Sequence, residues 1–219
     1  MPRSRLLSVR SVVVKLGTQV LTGQDGRLDR PFLADMARQV AALRERRIAV
    51  TLVSSGAIGA GMAHLGLKTR PRDLATLQAV AAVGQGRLMD AWAEAFAGHG
   101  VSVGQLLLTR DDIDRRARFL NLRNTVHAIH ALGAVPIVNE NDTVSTDELV
   151  RLSFGDNDIL AALVTQALRA DLLVLPSFQE SAPMCIAEAM AAGVPVLASR
   201  IGGTRGLVED GVTGRLVAP

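Results

Sequence analysis

The chain has 219 residues, a formal net charge of +3 and 48% apolar side chains, enough for one α/β domain or one plus a fragment. A single cysteine, Cys185, excludes an intrachain disulfide or a cysteine-zinc cluster, and the absence of tyrosine leaves little surface for stacking bases, so no nucleic-acid partner is expected. No apolar run is long enough to cross a bilayer, and the N-terminal arginines lead into a short valine run rather than a signal-peptide core, so the expectation is a cytoplasmic protein with no membrane partner.

Residues 11–15 read as a β-branched strand ending in Lys15-Leu16-Gly17-Thr18. A lysine at a strand end can set an ammonium beside a phosphate, with Gly17 admitting close backbone approach and Thr18 adding a hydroxyl donor. On its own the segment reads equally well as a solvated lysine after an edge strand. Residues 31–46 have helical periodicity, with Asp29 as N-cap and Pro31 in the first turn. The strand over 48–53 runs into Ser54-Ser55-Gly56-Ala57, small residues that expose N–H groups at a helix start, a natural anion site, although a tight packing turn gives similar glycines. Residues 74–97 read as one long helix, loosened at Gly84 and Gly86.

A strand over 101–108, a helix over 116–132 and a strand over 135–138 follow. After the last comes the polar run Asn139-Glu140-Asn141-Asp142-Thr143, unusual for a simple turn, whose amide and carboxylate groups suit the ammonium and carboxylate of an amino acid, although a plain polar loop is the alternative. Phe154-Gly155-Asp156-Asn157-Asp158 opens a helix reaching 168. There Asp156 or Asn157 can serve as an N-cap, and Asp158 lies in the first turn, where an anion is favoured. Strands are expected over 172–175 and 194–198. Apolar strands separated by helices argue for a parallel sheet covered on both faces, with ligands at the carboxyl ends of the strands, where all these motifs fall.

In this order, Val-Val-Lys-Leu-Gly-Thr, Val-Ser-Ser-Gly-Ala-Ile, Asn-Glu-Asn-Asp-Thr-Val and Phe-Gly-Asp-Asn-Asp resemble glutamate 5-kinases of the amino acid kinase family. Ala81–Gln85 and Asn121–Thr125 fit as well. The resemblance spans about residues 10–175 and implies a three-layer α/β/α sandwich with a mainly parallel sheet. It implies phosphorylation of the L-glutamate side-chain carboxylate by ATP with Mg2+, the first step towards proline, and a homo-oligomer. By resemblance, Lys15 stabilises the transferring phosphoryl group and Asp158 orients Lys15. Ser55, Asp142 and Asn157 hold glutamate, while Gly17, Thr18, Gly56 and Ala57 bring backbone or hydroxyl groups to the phosphate or substrate. No protein ligand set for a metal is assigned.

Past residue 175 a glutamate 5-kinase should continue into a nucleotide-binding half with a second catalytic lysine. Here Pro176-Ser177-Phe178-Gln179-Glu180-Ser181 follows, and no lysine occurs after Lys68. The tail, with Ala187-Glu188-Ala189-Met190-Ala191-Ala192-Gly193 and Gly202-Gly203, resembles a retaining glycosyltransferase of the two-Rossmann-domain type. That resemblance implies Glu180 and Glu188 as ligands of a sugar nucleotide. The expected organisation is therefore a chimera: 1–175 a glutamate-binding amino acid kinase part, and 176–219 a Rossmann-like βαβ fragment that extends the sheet. Impaired kinase activity is expected. The competing readings are a sugar-nucleotide-binding fragment and a non-catalytic engineered chimera.

Overall fold

The computed structural model describes residues 6–23, 26–144 and 156–219. Among them run β1 (Ser11–Leu16), α1 (Thr18–Leu21), α2 (Arg30–Glu45), β2 (Ala49–Ser54), α3 (Ala57–Leu65), α4 (Leu74–Ala97), β3 (Val103–Leu108), α5 (Arg110–Asp114) and α6 (Arg116–Ala131). Then follow β4 (Val135–Glu140), α7 (Asp156–Leu168), β5 (Leu172–Leu175), α8 (Met184–Ala191), β6 (Val196–Ser199), α9 (Thr204–Leu207) and β7 (Gly214–Val217). The strands form one seven-stranded sheet in the order β3-β4-β2-β1-β5-β6-β7. Every pairing is parallel.

The period-2 alternation of the strands sorts their side chains between two apolar layers. Val12, Val14 and Leu16 face one layer with Leu33 and Val40 of α2 and Leu88, Trp92 and Phe96 of α4. Val13, Val53, Val138 and Leu173 face the other, with Val126 of α6, Val164 of α7 and Ile186 of α8. The direction of each crossover decides which layer its helix joins. Steps towards β3 (β1 to β2, β2 to β3) use α2 and α4; steps towards β7 (β3 to β4, β4 to β5, β5 to β6) use α6, α7 and α8. A single handedness of connection requires this sorting. The tail obeys it, so β6 continues the sheet beside β5 with α8 against α7, and the α/β/α architecture extends without a break at residue 175.

Local signals account for several boundaries. The Asp29 carboxylate accepts from Phe32 N–H at 2.9 Å and caps α2; that of Asp73 accepts from Thr76 N–H at 2.8 Å and caps α4. Asp171 fixes the start of β5 against β1: its Oδ2 accepts from the backbone N–H groups of Arg10 and Ser11, each at 2.9 Å. Two expectations are corrected. Helix α4 is not loosened at its glycines but runs unbroken from Leu74 to Ala97. A Cβ on Gly84 would lie 1.8 Å from the Ala57 carbonyl oxygen, so this glycine lets α3 cross α4 at backbone contact. The strand expected over 135–138 also runs further: Asn139 and Glu140 belong to β4 and are buried.

Candidate functional site

The strand order reverses at β1: the chain first builds outward through β2 and later returns to place β5 on the other side. Such switch points open a crevice outside the carboxyl ends of the strands. Lys15 sits at that end of β1, on the same face as Val13, and so points towards α7 rather than α2. Ser55, just past β2, follows Val53 onto the same face. Helix α7 begins directly above them.

Consecutive residues of its first turn reach the two strand ends. The Asn157 side-chain amide donates to Ser55 Oγ at 2.8 Å. Lys15 Nζ lies 2.5 Å from Asp158 Oδ1, with side-chain exposures of 9% and 6%. Burial by itself pushes the Lys15 ammonium down, but the charge and hydrogen bond of Asp158, joined by Glu180, outweigh it and hold the group above its ordinary 10.5. Lys15 therefore stays charged.

Gly56 caps α3 with φ +95°, a left-handed conformation that favours glycine, and no side chain caps that helix. Ala57 follows as its first residue and is buried. The first-turn N–H groups of α3 thus start beside Ser55, as an anion site requires. At Gly17 an added Cβ would meet Lys15 Nζ at 3.5 Å, an ordinary contact, so the fold itself does not demand glycine there. Thr18 is exposed at the start of α1, and Asp142 lies half-buried after β4. Phe154 and Gly155 fall outside the described residues, as does the side chain of Asp156.

An open cleft of about 220 Å³ lies over the β1 and β5 ends, lined by Lys15, Gly17, Thr18 and Asp158 on one side and by Ser177, Glu180 and Ser181 on the other. Glu180 comes within 3.7 Å of Lys15 Nζ, a contact no sequence motif signalled. Glu188 is exposed on α8 and does not line this cleft, so the two tail glutamates do not converge there. A second pair was also not anticipated: Asn139 donates to Gln85 Oε1 at 2.8 Å, both side chains buried beneath the β4 end. Both lie in the quoted motifs, but only the fold shows that α4 and β4 meet through them. Among the described residues no group of three or more His, Cys, Asp or Glu is placed to hold a metal ion. Nor is any helix there long and apolar enough to cross a membrane.

Residues 10–177 match the amino acid kinase family. The chain belongs to that family. Glutamate 5-kinase from Thermus thermophilus is 53% identical over 171 residues, covering 78% of this chain and 45% of its own length. That from Citrifermentans bemidjiense is 51% identical over 175 residues, covering 80% and 46%. The chain thus spans about half the length of the curated relatives it matches. The amino acid kinase fold is also seen in a Giardia carbamate kinase of 13% identity, with a TM-score of 0.52 over 80% of this chain and 76% of that one. Residues 156–219 match a second family, glycosyl transferases group 1. The two matches overlap across α7 and β5, the elements that the kinase-family site and the tail share.

Proposed function

We propose that the chain is an L-glutamate-binding domain of glutamate 5-kinase lineage, joined through β5 to a glycosyltransferase-type segment in a chimera with impaired kinase turnover. The observation that carries the reading is the first turn of α7, where Asn157 meets Ser55 and Asp158 meets Lys15 across two strand ends. In this reading Asp142 pairs with the substrate ammonium. Ser55, Asn157 and the backbone at Gly56 and Ala57 receive its carboxylate groups, and Gly17 and Thr18 border the reacting end. Asp158 is a positioning residue that keeps Lys15 charged and aimed. Charge-assisted hydrogen bonds of this type contribute roughly 1.5–3 kcal/mol each.

ATP with Mg2+ is the phosphoryl donor that this lineage implies. The cleft as folded does not fit a magnesium-bound triphosphate: its lining has a single cationic side chain, Lys15, already held by two carboxylates. Two experiments test the reading. Calorimetry is expected to give L-glutamate a Kd on the order of millimolar, weakened by Ser55→Ala, with D-glutamate binding more weakly; no binding of either enantiomer by the folded chain removes the glutamate site. ADP release with glutamate, ATP and Mg2+ is expected to fall well below the roughly 1–100 per second of ordinary kinases, and turnover in that range defeats the impairment.

The match of residues 156–219 favours a second reading, sugar-nucleotide binding through Glu180 and Glu188. It requires UDP-glucose binding that is lost on Glu188→Ala and kept on Lys15→Ala.

A further inference from the structure

Glu180 comes from the tail, 165 positions along the chain from Lys15, yet its carboxylate is built into the cleft rather than swept across it. Its side chain is 15% exposed. Ser177 Oγ donates to Glu180 Oε1 at 2.6 Å, and the Glu180 carbonyl accepts from Gly203 N–H at 3.0 Å. The Gly202-Gly203 turn presses on the same backbone: a Cβ on Gly202 would fall 2.1 Å from the Glu180 carbonyl oxygen, and one on Gly203 would fall 1.9 Å from that of Ser181. Two glycines and a serine thus hold one carboxylate 3.7 Å from an ammonium that already has Asp158 at 2.5 Å. With both carboxylates ionised, the three groups sum to one negative charge, where Lys15 and Asp158 alone would be neutral.

We propose that Glu180 sets the charge selectivity of this cleft: it is a built-in anion on Lys15, and it excludes phosphate-bearing ligands. The proposal rests on Lys15 as the ligand-facing cation of the site described above. A phosphate approaching Lys15 meets Glu180 at a few ångströms, inside the range where like charges near a protein surface repel strongly. Neutralising Glu180 removes that repulsion without disturbing the pair beneath it.

The test is calorimetry of the full chain with inorganic triphosphate at low salt and pH 7.5. Glu180→Gln is expected to bind at least about tenfold more tightly than the unmodified chain, and adding Lys15→Met is expected to cancel the gain. Glu209→Gln removes an exposed carboxylate of the same segment and is expected to leave binding unchanged. Ser177→Ala, which keeps the charge and frees the Glu180 side chain, is expected to give a smaller gain, and it decides the matter if Glu180→Gln does not fold. A folded Glu180→Gln variant with no gain overturns the proposal, as does an equal gain from Glu209→Gln. Failure of L-glutamate to bind is a separate outcome, because triphosphate reports on Lys15 and not on Ser55 or Asn157.

Discussion

Replacing Lys15 by Met removes the only cation between two enclosed carboxylates while keeping most of the side-chain volume. Asp158 is 5% exposed, so without the ammonium at 2.5 Å its carboxylate is left unpaired where water reaches it poorly. Removing one partner of a buried pair costs about 3–5 kcal/mol. Urea unfolding of the unmodified chain, Lys15→Met and Lys15→Met/Asp158→Asn at pH 7 measures this. The single variant should lose about 3–4 kcal/mol. The double variant should recover roughly 2 kcal/mol, since a neutral amide tolerates the site better than an unpaired carboxylate. A single variant that loses less than about 1 kcal/mol, or a double variant no more stable than the single one, would show that Lys15 and Asp158 do not form a buried ion pair.

Two glycines of α4 should respond with opposite signs. Gly84→Ala drives a Cβ into the Ala57 carbonyl and should cost about 3 kcal/mol, whereas Gly86, with nothing within 4 Å of an added Cβ, should gain roughly 0.5–1 kcal/mol as alanine; thermal melts in which both lower Tm equally refute the α3–α4 crossing. His130, beside Thr51 at 3.1 Å, is pushed down from 6.5 to about 4, first by burial and then by the charges of His127 and Arg44. Its stability contribution is therefore present above pH 6.5 and lost as pH falls towards 4. The stability gap between the unmodified chain and His130→Asn should narrow over that window by about 1 kcal/mol, discounted for the ring's partial exposure; a pH-independent gap refutes it. Burial, followed by the charge of Asp158, raises the Cys185 thiol far above its ordinary range. A disulfide reagent at pH 8 should therefore label it only as fast as the chain unfolds, and labelling within seconds in native buffer contradicts this.

Part of the candidate site was legible because a parallel sheet puts polar side chains where strands end. Lys15 and Ser55 each follow an apolar run, and Asn157 and Asp158 open a helix, so the two contacts between them follow from topology. What stayed hidden depends on side-chain direction and on contacts between distant segments. Glu180 resembled a ligand of another family, and nothing local aims it at Lys15; that requires α8 and the Gly202-Gly203 turn to take their places above β5. Gly84 read as a weak point in a helix because its value lies in the neighbouring helix it admits. Asn139 falls outside the expected strand because a buried polar strand end looks like a turn until its partner, here Gln85, is known. The four-residue β7 has too little periodicity to announce itself beside a glycine.

The position of β5 also bears on solubility. If the sheet stopped at this strand, its outer row of N–H and C=O groups would be an open template flanked by Leu173 and Leu175, an invitation to pair with another chain. Residues 196–217 occupy that row with β6 and move the open edge out to β7, which has four residues and an arginine, Arg215, in its middle. A short edge carrying a charge recruits strands poorly. With β6 and β7 in place, the open edge of the sheet is a short, charged strand rather than the apolar β5.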